Sequence, residues 1–139
     1  MKKVMLVIVA ISFIAISATS KSSIATVKQS KLSSLSGKNK DCMEACNTCI
    51  ASCKKVEAMC SKDKSGKMAE CERLSKECAS ACKDCVKGMK SSDKKCKDKC
   101  VDCAKACEKC ATECDKFDNA ECKQCAIDCR NAAKHCNDM

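Results

Sequence analysis

CKDKCVDCAKACEKCATEC, residues 96–114, places Cys96, Cys100, Cys103, Cys107, Cys110 and Cys114 at steps of four, three, four, three and four. Residues three and four apart share one face of an α-helix. The alternation is a heptad seam in which thiols stand where the a and d positions normally hold leucine. A strip of sulfur along one helical face points first to soft-metal chemistry.

The same signature recurs in three other segments. The first carries Cys42, Cys46, Cys49, Cys53 and Cys60, the second Cys71, Cys78, Cys82 and Cys85, and the last Cys122, Cys125, Cys129 and Cys136. Where the alternation skips, an apolar residue holds the gap: Val56, Leu74, or Ala132 with Ala133. The period survives these gaps, so all four segments read as helices.

The chain of 139 residues is bounded to one small domain. Residues 1–20 read as an export signal: Lys2 and Lys3, an apolar core from Val4 to Ile16, then Ala18-Thr19-Ser20 as a cleavage site. That core is shorter than the roughly 20 residues needed to span a bilayer. The expected mature chain is therefore exported, periplasmic or extracellular, without a membrane span. Residues 21–40 read as a flexible linker, with six serines, five lysines and no acid. Residues 41–139, which hold every cysteine, are expected to form the folded, metal-binding domain.

The formal charge is +9, falling by two once Lys2 and Lys3 leave with the signal. A basic balance can indicate nucleic acid, but the chain has no Tyr or Trp for base stacking. Its lysines alternate with acids on the faces without cysteine, as in Lys97-Asp98-Lys99, which describes a solvated exterior. Nucleic acid is excluded as a partner.

From Asp41 onward there is no proline, and Gly66 and Gly88 are the only glycines. Asp41 with Glu44, and Asp118 with Glu121, have capping-box spacing. Ser65-Gly66 and Gly88 to Ser92 supply the other turns. The expected fold is all-α, with helices over 42–62, 67–88, 93–116 and 120–137. Short loops make them an antiparallel up-down-up-down four-helix bundle with a cysteine-lined interior. Stacked antiparallel, the cysteines form layers: Cys42 with Cys85, Cys96 and Cys136; then Cys46, Cys82 and Cys100; then Cys49, Cys78, Cys103 and Cys129; then Cys53, Cys107 and Cys125. Cys71, Cys110 and Cys122 follow, with Cys60 and Cys114 toward the far end.

Disulfides are the usual fate of cysteines in a small exported chain. Against them stand an odd count of nineteen, a regular helical register, and the small loops that bonds along one helix would close. Zinc favours discrete four-ligand sets, often with histidine, whereas His135 is the single histidine and the stacked thiols are not expected to parse into such quartets. Iron–sulfur ferredoxin spacing is absent. Cu(I) suits continuous thiolates, because one ion per thiolate leaves a neutral interior. Five Cys-x-x-Cys pairs interlock with seven Cys-x-x-x-Cys pairs as pieces of the seam, which argues against a thiol oxidoreductase. No catalytic constellation can be built with one histidine, so the chain reads as a non-enzyme. Met43, Met89 and His135 fall near the Cys42 and Cys136 end, where they would make a soft-ligand mouth. Disulfide-stapled structural module and zinc-thiolate sequestration remain the alternative readings.

These pairs on all four helices resemble the bacterial four-helix-bundle copper storage proteins, over about residues 41–139. The resemblance implies that all nineteen cysteines bind multiple Cu(I) ions per chain, each thiolate tending to bridge two ions, with Met and His ligands near an open end. The export signal looks like that of the family's secreted members. Copper ions, and copper-accepting proteins, are the implied partners.

Overall fold

The computed structural model describes residues 24–139, with side chains from residue 36 onward. The export-signal reading of residues 1–20 lies outside the described residues. Four helices follow in order: α1 Ile24–Cys60, α2 Ala69–Lys90, α3 Cys96–Cys114 and α4 Ala120–Asn137. Helices consecutive in the chain pack side by side, and α1 closes the square against α4, while diagonal pairs keep their backbones apart. This is the antiparallel bundle that short connections enforce.

The first helix starts far upstream of the expected cap. Asp41 lies inside α1, so its capping box with Glu44 is not used, and residues 24–40 are helical. Once the bundle holds the later turns, each added residue gains a backbone hydrogen bond without a new nucleation cost. This segment has no proline, and Gly37 alone interrupts it. Lys38 Nζ donates to the Asp138 carbonyl at 3.4 Å, tying the extension to the end of α4.

The α1–α2 turn is organised by Asp63. Its Oδ1 accepts from Ser65 N at 3.0 Å and its Oδ2 from Met68 N at 3.2 Å. Gly66 sits there at φ +74°, a conformation that suits a residue without a side chain. At the second turn α2 runs through Gly88 to Lys90, and the chain reverses at Ser92 with φ +51°. Gly88 is buried because Lys99 crosses it: a Cβ there would come within 2.9 Å of Lys99 Cδ. Lys99 Nζ then reaches Asp93 Oδ2 at 2.6 Å and fastens the turn.

The fourth helix begins as expected, but its cap is Asn119 rather than Asp118. Asn119 has extended backbone, and its Oδ1 accepts from Cys122 N at 2.8 Å. Asp118 instead pairs with Lys123. Outside the seam, Val56, Leu74 and Val86 are buried, whereas Val101 and Ile127 face solvent. The outer faces carry helix-spaced pairs such as Arg73 with Glu70 and Glu77, solvent-exposed contacts that add little to stability.

Replacing Asn119 by Ala is expected to cost about 1 kcal/mol of unfolding free energy. Asp118→Ala, which removes an exposed ion pair, is expected to cost under about 0.5 kcal/mol. Urea denaturation of the reduced, metal-free protein measures both. A larger loss for Asp118 than for Asn119 would refute the cap assignment.

Candidate metal centre

Each helix presents one seam, and the 3.5-residue period fills it without exception. In α1 the slots are Cys42, Cys46, Cys49, Cys53, Val56 and Cys60; in α3 they are the six thiols from Cys96 to Cys114. In α4 they are Cys122, Cys125, Cys129, Ala132 and Cys136. In α2 they are Cys71, Ser75, Cys78, Cys82, Cys85 and Met89. Ser75, not Leu74, is therefore the residue that replaces a thiol in α2. It is wholly buried, with its Oγ 3.6 Å from Cys110 Sγ, while Leu74 packs beside the seam. The four-then-three rhythm counted on from Cys71 lands on Ser75, a polar residue in an otherwise apolar and thiol face.

All nineteen cysteines are free thiols, and every one except the half-buried Cys96 is buried. Between adjacent helices the Sγ atoms approach closely: Cys85 to Cys100 at 3.3 Å, Cys42 to Cys136 at 3.5 Å, Cys49 to Cys129 at 3.5 Å, and Cys78 to Cys107 at 3.5 Å. Across the diagonals they still touch, Cys46 to Cys103 and Cys49 to Cys107 at 3.9 Å, and Cys78 to Cys129 at 3.8 Å. The backbones on those diagonals do not meet, so it is sulfur that closes the centre of the square.

The layering differs from the expected stack in the placement of α3. Cys100 meets Cys85, Cys103 meets Cys46 and Cys82, Cys107 meets Cys49 and Cys78, and Cys110 joins Cys53 and Cys125. Each α3 thiol stands one seam step from its expected partners. The cause lies at the second turn: α2 ends at Lys90, two residues later than expected, and α3 begins at Cys96, above the first layer.

A second correction concerns four-ligand sets. The tube does contain them: Cys42, Cys46, Cys85 and Cys136; Cys49, Cys78, Cys82 and Cys107; and Cys53, Cys110, Cys125 and Cys129, each with Sγ atoms within 4.8 Å of one another. These three share no residue. A further set, Cys49, Cys53, Cys78 and Cys129, overlaps two of them, and Cys46, Cys82 and Cys103 form a triad. These overlapping sets run without a break from the Cys42 layer to the Cys110 layer.

Of the predicted mouth ligands, Met89 occupies the seam slot beyond Cys85 and is buried. Met43 lies one residue off the seam and lines an outer groove with Lys40, Asn47 and Lys90. His135 is half-buried beside Cys136, also one step off. Met139, three residues past Cys136 and packed on the core, was missed; the seam period identifies it. The opposite end is filled by Cys60 with Met59, Met68 and Phe117 packed against the core.

No lysine, arginine or histidine is buried among the described residues; the buried polar side chains are Ser52 and Ser75. Ser52 donates to Asp128 outside the tube. A thiolate inside it faces no cation. Burial accordingly pushes the Cys60 thiol up to about 12 and the Cys122 thiol up to about 11, and it raises Cys100, with Cys85 adding to the effect. In the middle layers neighbouring thiols set the direction: Cys78 is raised, by Cys107 first, and Cys49 is lowered by hydrogen bonds from Cys107 and then Cys129.

Fold and thiol ladder together define an all-α metal-binding bundle whose buried axis suits soft cations. The family model described as Csp, copper storage protein, matches residues 35–139, and the chain belongs to that family. The Cu(I)-bound copper storage protein BsCsp3 is 35% identical with a TM-score of 0.70, covering 73% of this chain and 97% of that one. The apo form of copper storage protein 3 from Bacillus subtilis is 36% identical with a TM-score of 0.67, covering 72% and 96%. Among curated proteins nothing matches.

The raised thiols fix the sign of a pH dependence. Cys60 and Cys122 bind protons more tightly folded than their ordinary value of 9.0. Their contribution is complete below pH 9 and is lost as pH climbs through about 11 to 12, because the unfolded chain ionises first. Circular dichroism of the reduced, metal-free protein is expected to show helix loss in that window. A melting temperature unchanged from pH 8 to pH 11.5 would contradict it.

Proposed function

We propose that this protein is an exported store that binds many Cu(I) ions through the thiolates of its bundle axis. The observation that carries this is the ladder of nineteen thiols, eighteen of them buried, with Sγ atoms at 3.3–4.0 Å in nearly every layer. Cu(I) accepts two or three sulfurs and shares them with a neighbouring ion, which suits sets that overlap. Each ion displaces one thiol proton, so the uncharged core stays uncharged. The ligands are Cys42, Cys46, Cys49, Cys53, Cys60, Cys71, Cys78, Cys82, Cys85, Cys96, Cys100, Cys103, Cys107, Cys110, Cys114, Cys122, Cys125, Cys129 and Cys136.

The entrance is the Cys96 end. Cys96 is the one thiol that is not buried, and Met89 and Met139 continue the seams beside it. Thioethers bind Cu(I) without giving up a proton, which suits a site for arrival and release. Met43 and His135 flank this end. Copper-accepting proteins would collect their ion here. Export rests on residues 1–20, and the mass of the protein recovered from the cell envelope tests it by the cleavage near Ser20.

Anaerobic titration of the reduced mature protein with Cu(I), read by native mass spectrometry, is expected to show on the order of one ion per thiol with helicity retained. Saturation at one to four ions would overturn the storage reading. Cys96→Ser is expected to lower the capacity by at most about one ion while slowing uptake several-fold in stopped-flow transfer from a weak Cu(I) chelator. An unchanged rate would place the entrance elsewhere.

A further inference from the structure

We propose that the tube selects its cargo by charge: it also takes mercuric ion, at one ion per two thiols, and refuses zinc despite its three separate four-thiol groups. This rests on the thiolate-store reading and extends it from one cargo to a rule of selection.

By ligand number alone, zinc ought to fit. Four thiols within 4.8 Å of one another are a tetrahedral donor set, and three such sets share no residue. The walls decide otherwise. A divalent ion held by four thiolates carries two net negative charges into a space lined by cysteine, alanine, valine and methionine, where no basic side chain is buried. An uncompensated buried charge is strongly unfavourable. Ser75 can offer one hydroxyl near Cys110, and nothing in the described interior offers a cation.

The ions that escape this cost are those whose preferred thiolate complex is neutral. Cu(I) is neutral at one thiolate per ion. Mercuric ion is neutral at two, because it is satisfied by a two-coordinate, near-linear dithiolate. The reaction is a ligand exchange with no change of oxidation state. With mercuric chloride as donor, two S–H bonds and two Hg–Cl bonds break, two S–Hg bonds form, and two protons and two chloride ions leave to solvent. Close pairs from different helices are available throughout, as with Cys85 and Cys100, Cys42 and Cys136, and Cys71 and Cys114 at 3.8 Å. Nineteen thiols make about nine such pairs with one left over.

The test is a set of three parallel anaerobic titrations of the reduced, metal-free protein at neutral pH, with Cu(I), mercuric chloride and zinc chloride, each read by native mass spectrometry and circular dichroism. Expected are about nine mercury ions per chain, each adding the mass of mercury less two protons, with the helical signal unchanged. Zinc is expected to fall below one ion per chain after exposure to a chelator of micromolar affinity. Retention of one or more zinc ions, mercury uptake well short of half the thiol count, or loss of helix on mercury loading would overturn the charge rule. The copper arm separates the two claims. Copper uptake with failed mercury or zinc outcomes sinks only this proposal, whereas failure of copper sinks the store itself.

Discussion

Thiol sulfurs held in contact along a buried line, with no buried basic side chain among the described residues, are the constraint on which this structure depends. Contact requires four helices at spacing close enough for sulfur to bridge the diagonal, as Cys46 and Cys103 do at 3.9 Å. Larger side chains in the seam would push the helices apart, and smaller ones would leave voids. The three slots that lack sulfur respect that limit: Val56, Ser75 and Ala132 are all fully buried and none is larger than valine. Bulk is kept to the ends, where Met89 and Met139 stand at one and Phe117 and Met68 at the other.

A core of this composition makes an unusual fold energetically. Four-helix bundles ordinarily fill their layers with large aliphatic side chains. Here the fully buried set is almost entirely cysteine, a small hydrophobe with a weak donor. The metal-free bundle is therefore held by shallow burial, helix propensity and well-made turns such as those at Asp63 and Asp93. An ion that binds the assembled tube and not the unfolded chain stabilises it by mass action. Cargo and fold are coupled, and a loaded protein should be the more stable one.

The same apolar lining that makes the core marginal gives it chemical discrimination. Because no basic side chain enters the described interior, the number of thiolates an ion requires matters less than the charge left over when they are supplied. The ends complete the arrangement. Cys96, set above the first layer by the place where α2 stops, is half-buried while the thiols behind it are buried. The position of one turn thus separates a thiol that can exchange ions from those that retain them.

The sequence by itself determined the helices, their number and the face each one buries, because a four-and-three rhythm has one geometric meaning on a 3.6-residue helix. It also determined the soft-ligand chemistry, and it held Ser75 and Met139 in plain view as seam positions. Only the tertiary structure decided which thiols meet. The register of α3 depends on where α2 stops, and that follows from Gly88 lying under Lys99, a contact between residues on different helices. The choice of Asn119 over Asp118 as cap, and the upstream reach of α1 to Ile24, belong to the same class. Periodicity fixes what faces inward along each helix. The height of one helix against the next is set by turns and side-chain contacts, which a pattern read along one chain does not contain.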